Sequence, residues 1–425
     1  MYWRILKSSY IIKRMNVAVI GPFGLRPKGT VSVRALPMAQ ALVRRDHKVI
    51  LLVPSWDWPA DAGRSWIEGG VSIECVPLPA RVPAFFHLAL TLKLVQRALA
   101  SKPDVIHLFK PKGYTGLALW ILITLRRLGR NIPHLVLDTD DSERAWNPVA
   151  GYPLWQQYVF SWQERWGLRH ADAVTVASLN LQELAMDVGV PRERIFYVPN
   201  GISPTVTSML PDFLLDTSLQ AGRQEERNDF RLQHGLGQHP VVLLYTRFAE
   251  FGLPRLVDLI DQLATQAPMA RWLVVGRGFA GEEKVLISQL KSRGLDQFVV
   301  FAGQVPAQDL PHYFAAADVA AYPFDDTPIN QARCSVKLTD LLTAGLPVVT
   351  DAVGQNKVYI LDGETGLLVS PGDSTAFVSA LVRLLSDNSL RRRLGTAARQ
   401  FMLQHFTWSN LIETVEEAYG RELNP

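Results

Sequence analysis

Short apolar runs alternate with amphipathic stretches along most of the chain, and this alternation narrows the fold more than any other feature. NVAVIG (16–21) predicts a strand, VSVRALPMAQALVRRD (31–46) carries apolar residues at three- and four-residue spacing and predicts a helix, and HKVILLVP (47–54) predicts the next strand. SIECVPL (72–78), DVIHLF (104–109), HLVLDT (134–139), AVTVAS (173–178) and IFYVP (195–199) continue the series. After a break it resumes with HPVVLLYTRF (239–248), ARWLVVGRG (270–278), QFVVFAG (297–303), DVAAYPF (318–324), PVVTDA (347–352) and GLLVS (366–370), with helices expected near 254–267, 281–294, 307–316, 335–344 and 373–387. Such alternation buries a parallel sheet between two helical layers. A chain of 425 residues exceeds one ordinary core. The predicted fold class is therefore α/β, with two tandem Rossmann-like, doubly wound domains facing each other across a cleft. Ligands are expected at the carboxyl ends of the strands.

The boundaries that follow are an extension over 1–15, a first domain over 16–200, a connector over 201–238, a second domain over 239–405 and a terminal helix over 406–425 that returns towards the first domain. The connector is polar in part, with RQEERND at 223–229, and is expected to carry an insertion. The start, MYWRILKSSYIIKRM, lacks the apolar core and cleavage site of a signal peptide; Met1 and Met15 are both candidate starts. The most apolar stretch, GLALWILITL (116–125), is too short to span a bilayer and fits a buried helix or one facing a membrane surface.

A net charge of +4 lacks the clustered basic stretches of a nucleic-acid binder, so no nucleic-acid partner is expected. It is compatible with an anionic substrate or lipid surface. Cys75 and Cys334 are too few for a disulfide framework or a zinc spacing, and a cytoplasmic location is expected.

Five stretches occur in order: PNGI (199–202), ARWLVVGRG with the helix after it, LPHYFAAADVAAYPF (310–324), VKLTDLLTAGLPVVTDAVGQNKVYILDGETGLLVSPGD (336–373) and the tail RRRLGTAARQFMLQHFTWSNLIETVEEAYG. Together they resemble the family-4 glycosyltransferases of the GT-B fold. The likeness covers roughly 199–420 apart from the insertion, while the first half matches in outline only, through its glycine-containing first loop and DVIHLF. The resemblance implies transfer of a sugar from a nucleotide-diphosphate sugar with retention at the anomeric carbon, with no metal or other cofactor. The second domain would hold the nucleotide. The first would hold an acceptor that is a lipid-linked glycan, a polysaccharide or a small molecule, with peripheral contact to the inner face of a membrane.

Departure of a nucleoside diphosphate calls for fixed positive charge. Arg247, at the end of LLYTRF, matches the family's strand-end arginine, although Thr246 stands where glycine is usual. A lysine normally follows in a Glu-Lys-Gly context; here the residues are Glu250-Phe251-Gly252. Arg333 or Lys337 is expected to replace that cation. Of the family's paired glutamates, the ribose-binding one corresponds to Asp340, while Ala332 occupies the place of the one that contacts the donor sugar. Asp325 and Asp326 are the substitute carboxylates, or make a turn with Pro328. Gly276, in VVGRG, permits a tight turn and close ligand approach. Gly303 and Val305 begin the loop that the resemblance places against the nucleobase.

On the acceptor side, the loop GPFGLRPKGTVSVR (21–34) offers Gly24, Lys28, Gly29 and Thr30 to a phosphate or sugar. His107 either is satisfied in the core or faces the cleft as a catalytic group. Lys110 and Lys112 suit an anionic acceptor. The acidic string in HLVLDTDDSERAWN (134–147) offers Asp140 and Asp141 as acceptor-binding or base residues, with a helix cap, an ion-pair cluster and a metal site as alternatives. Two other functions fit the chain: a degenerate, non-catalytic sugar-nucleotide binder, suggested by Ala332 and Phe251, and a nucleotide-sugar epimerase or phosphorylase on the same fold.

Overall fold

The computed structural model describes residues 14–25, 29–80, 85–202 and 220–420, with backbone alone for 220–223. Lys28, most of the amino-terminal extension and the first part of the connector, 203–219, lie outside the described residues.

The first sheet contains β1 (Asn16–Ile20), β2 (Lys48–Val53), β3 (Ser65–Glu68), β4 (Val71–Cys75), β5 (Val105–Phe109), β6 (His134–Thr139), β7 (Ala173–Val176) and β8 (Ile195–Tyr197), in the order β3-β4-β2-β1-β5-β6-β7-β8. Every pairing is parallel except β3 with β4. The second sheet contains β9 (Val241–Tyr245), β10 (Arg271–Val275), β11 (Val299–Gly303), β12 (Val319–Tyr322), β13 (Val348–Asp351) and β14 (Leu367–Val369), in the order β11-β10-β9-β12-β13-β14, all parallel. The order in which strands are added reverses at β1/β5 in one sheet and at β9/β12 in the other, so each opens a crevice at the carboxyl ends of those strands.

The strand β3 is an addition to the sequence reading. It pairs with β4 through a Gly69-Gly70 turn, both glycines at positive φ, as a two-residue hairpin requires. Its largely exposed SWIE pattern carries little hydrophobic signal. The connector also differs from expectation. Helix Gln220–Gln233 packs on helix Leu310–Ala316, and Arg227 and Arg231 bond to Asp318 at 2.7 and 2.8 Å, so this part belongs to the second domain.

Alternation along β1 sends Val17 and Val19 to one core layer and Ala18 and Ile20 to the other. The carboxyl-terminal helix, Trp408–Ala418, crosses back to the first domain, where Leu411, Ile412 and Val415 join the same layer as Val17 and Val19. Glu416 anchors it, accepting from Arg45 at 2.6 and 2.9 Å and pairing with His47 at 3.0 Å. The two crossings between domains lie side by side, with Ile202 N donating to Phe406 O at 2.8 Å. A Cβ on Gly201 would come within 2.8 Å of the Trp408 ring, which accounts for glycine in PNGI.

Candidate active site at the domain cleft

The end of β9 is shaped by one buried carboxylate. Glu250 Oε2 accepts from Thr246 Oγ1 at 2.7 Å, Ala249 N at 3.1 Å and Arg247 N at 3.3 Å. The turn wound around it holds Phe248 at φ 61°, a left-handed conformation rare for an aromatic residue. Such strain is concentrated where structure serves a site. Arg247 leaves this turn exposed to solvent. A Cβ on Gly29 of the opposite domain would lie 3.5 Å from Arg247 Nη2, so the first loop reaches across to the guanidinium.

Helix Val336–Thr343 begins beside β12, capped by Ser335, whose Oγ is 2.6 Å from Tyr322 Oη. Lys337 Nζ sits 3.6 Å from the centroid of the Tyr245 ring. Burial lowers the Lys337 pKa to about 8, with Glu250 and Asp340 opposing and Arg247 adding to the shift. One turn on, Asp340 is buried, and its Oδ1 has no hydrogen-bond partner among the described residues. Burial raises the Asp340 pKa to about 7, partly offset by Lys337. Arg247, Lys337 and Asp340 thus converge around Tyr245, at the switch crevice of the second sheet.

On the first-domain side, Arg34 projects from the π-helical turn Val31–Ala35 into a buried network. It donates to both Asp138 oxygens at 2.9 and 2.6 Å and to Asn200 Oδ1 at 3.0 Å. Asn200 N and Nδ2 donate to Cys334 Sγ at 3.2 Å and Cys334 O at 2.7 Å, carrying the network into the second domain. Lys110, at φ 66°, places its ammonium 2.8 Å from Asp140 and 2.9 Å from Asp141, and Lys112 pairs with Glu143. Burial raises the Asp140 pKa. At Asp141 burial acts the same way, but the Lys110 charge and hydrogen bond, with Arg333, hold it below its ordinary value. Arg333 lies across the cleft, its guanidinium 5.3 Å from the Trp146 ring centroid and its Nη1 donating to Ala249 O at 3.2 Å.

Comparison with known proteins matches both halves to sugar-transfer families. The glycosyl transferase 4-like domain model covers residues 29–201, and the glycosyl transferases group 1 model covers 239–387. This chain belongs to the GT-B glycosyltransferases. The chain is 27% identical over 241 residues to the GDP-mannose-dependent alpha-(1-6)-phosphatidylinositol monomannoside mannosyltransferase of Mycolicibacterium smegmatis, a match spanning 56% of this chain and 59% of that protein. It is 25% identical to the phosphatidyl-myo-inositol mannosyltransferase of Mycobacterium leprae over 95% of this chain and 96% of that one. Among solved structures, sucrose-phosphate synthase from Thermosynechococcus elongatus superposes with a TM-score of 0.70 at 22% identity, covering 96% of this chain and 99% of the other; it shares the fold.

Within this glycosyltransferase several expectations need correction. His107 does not face the cleft: it is fully buried beneath the carboxyl-terminal helix, its Nδ1 3.0 Å from Tyr419 Oη and its Nε2 3.2 Å from Thr175 Oγ1. Burial lowers its pKa to about 4, so it is a neutral core residue. Lys110 and Lys112 are not free for an anionic acceptor, because the acidic string already holds them. Asp325 and Asp326 serve the turn: Asp325 accepts from Gly252 N and Arg255, and Asp326 from Gln331. The close approach at Gly276 is to backbone rather than ligand, since a Cβ there would lie 1.8 Å from Thr246 O. Phe251 packs in the second-domain core, so no cation is supplied from the family's usual lysine position.

Other expected site residues lie on described backbone. Gly303, at φ 69°, accepts from Gly276 N at 2.7 Å and has open space where a Cβ would stand, and Val305 follows it half-buried. Gly24 N donates to Asp57 at 3.3 Å, and Thr30 precedes the π-helical turn. The residues that sequence reasoning missed are Arg34, Asn200, Glu250, Tyr245 and Trp146. Their signal was present only as position: Tyr245 ends a strand, Asn200 and Glu250 follow one within five residues, Trp146 lies in the acidic string, and Arg34 lies where the first loop turns into helix.

Proposed function

We propose that this glycosyltransferase binds a nucleoside-diphosphate sugar in the second domain and transfers the sugar to an acceptor held by the first. The buried, unpartnered oxygen of Asp340 beside Lys337 and Arg247 carries this reading. A buried carboxylate lacking hydrogen bonds is costly, and the two hydroxyls of a ribose would satisfy it. The cations would then meet the diphosphate, where charge grows as the glycosidic bond breaks. Lys337 takes the place that Phe251 leaves without a cation. On the acceptor side we assign Asp140 to accept from the attacking hydroxyl, because burial favours proton exchange there near neutral pH. The names of the two mycobacterial relatives favour a guanosine nucleotide as first test donor and a phosphatidylinositol-type lipid as first test acceptor. Two cysteines far apart in the sequence, too few for a disulfide framework, suit a reducing compartment, so we propose the cytoplasmic side for the enzyme.

Calorimetric titration with GDP and UDP tests the donor site. Affinity should rise as Asp340 ionises through about pH 7 and fall as Lys337 loses its proton above about pH 8. A flat profile, or no heat with either nucleotide, overturns the assignment. Asp340→Asn should weaken binding yet raise stability. A raised carboxyl pKa means the folded state holds more protons than the unfolded one between the ordinary value and about 7, so stability falls as pH rises across that window. Removing the charge should recover roughly 2–4 kcal/mol at pH 8 and almost nothing at pH 4. Thermal melts at the two pH values check this.

With Arg247 and Lys337 supplying the positive charge, we propose retaining transfer independent of added metal. Product formation should persist in excess EDTA, and the anomeric configuration of the product, read by NMR, should match that of the donor.

A further inference from the structure

Helix Leu154–His170 buries Gln163, Glu164, Gly167 and Leu168 against the first domain. Its other side is unusual. Leu154 is 83% exposed, Trp155 69%, Tyr158 71% and Trp162 40%. Trp155, Tyr158 and Trp162 recur at three- and four-residue spacing and so form one stripe. Arg165 and Arg169 continue that stripe, both exposed, and Arg144 is exposed on the preceding short helix. From 144 to 171 the sequence holds a single carboxylate, Glu164. That carboxylate is buried and accepts from Glu143 N at 2.9 Å and Arg144 N at 3.0 Å. Residues 144–171 therefore present aromatic rings and cations to solvent with no exposed acid of their own. The neighbouring helix Gly113–Arg127, which packs against this one, buries most of its apolar residues but leaves Trp120 41% exposed.

We infer that the solvent face of helix Leu154–His170 docks on a bilayer containing anionic phospholipid. Large amphipathic rings settle at the level of the headgroups, and arginines following them on the same stripe pair with lipid phosphate. No helix among the described residues is long and apolar enough to cross a membrane, so the contact is peripheral. Orientation supports it. Helix Glu143–Val149 runs from the acidic string of the cleft to this face and carries Trp146, whose ring lies against Arg333. A bilayer on this face would thus lie beside the acceptor side of the cleft. The inference deepens the proposal of a lipid-borne acceptor and rests on that reading for its purpose, though not for its test.

The test is co-sedimentation of the full chain with vesicles of phosphatidylcholine alone and of phosphatidylcholine with one quarter phosphatidylglycerol. The anionic vesicles should retain the protein and the neutral ones should retain it weakly. The triple variant W155A/Y158A/W162A should lose about tenfold in vesicle affinity, and R165E/R169E should lose the preference for anionic lipid. Unchanged nucleotide affinity in both variants shows that they are folded. Equal sedimentation of wild type and triple variant, or no sedimentation at all, overturns the inference. So does light scattering that finds a wild-type dimer and a monomeric triple variant, because a second copy would then cover the face. Failure of nucleotide binding in the wild type would instead strike the donor-site proposal and leave the vesicle result standing.

Discussion

Arg34→Ala is expected to lower the stability of the first domain by about 3–5 kcal/mol, the range for stripping one partner from a buried ion pair. Arg34 and Asp138 are each 1% exposed at the side chain, and two hydrogen bonds join them. Burial alone would lower the arginine pKa; the Asp138 charge and hydrogen bond, with Asp140 and Cys334 adding, together hold it above its ordinary value. Without the guanidinium, Asp138 keeps one donor, Thr175 Oγ1 at 2.7 Å, and no countercharge of comparable reach. The effect should extend further than one domain. Asn200 loses the donor to its Oδ1 while still bonded to Cys334, so the interdomain contact loosens together with the first-domain core. Denaturant unfolding followed by tryptophan emission provides the measurement. The double variant Arg34→Met, Asp138→Leu should regain most of the loss, because it removes both charges. If Arg34→Ala unfolds at the wild-type midpoint, the network does not hold the domain.

Lys337→Ala and Arg247→Ala should each reduce turnover by roughly 10²–10³, the scale seen when one group that stabilises developing charge is removed. The two need not act alike. Arg247 is exposed, and its loss should raise KM as well as lower kcat. Lys337 is pressed against Tyr245 in a site that depresses its pKa, and its loss should fall mainly on kcat. Its removal should leave stability unchanged or improved, since a half-buried cation is itself unfavourable. Steady-state kinetics with a nucleotide sugar gives the split. A Lys337→Ala enzyme of normal kcat would show that the cation missing at Phe251 is not replaced from this helix.

The parallel sheets were legible because their strands are buried on both faces and appear as unbroken apolar runs such as VVLLY and VIHLF. The exposed hairpin strand Ser65–Glu68 was not, since the largely solvated SWIE carries no such run. The helix Gln220–Gln233 escaped for a related reason: its contacts with Asp318 are ionic, and charge in sequence resembles a linker. At the site, Arg247 and Asp340 follow from the family resemblance, and Lys337 from the cation that the resemblance expects and Phe251 does not supply. His107 shows the limit of that logic. A histidine within a strand points to one face or the other, and only the return of the last helix decides that this face is covered. The pairing of Lys110 with Asp140 and Asp141 was likewise hidden, because cations and acids about thirty residues apart meet only when β5 and β6 lie side by side.

The returning helix Trp408–Ala418 has a consequence for biosynthesis. The first half of the chain leaves the ribosome long before the segment that packs against β7, β8 and helix Leu36–Val43 has been made. At usual elongation rates of about 5–20 residues per second, that apolar surface stays open for roughly 10–40 s while the second half is translated. Chain truncation near the end should therefore harm the part made first, and chaperone dependence during synthesis should centre on the amino-terminal half.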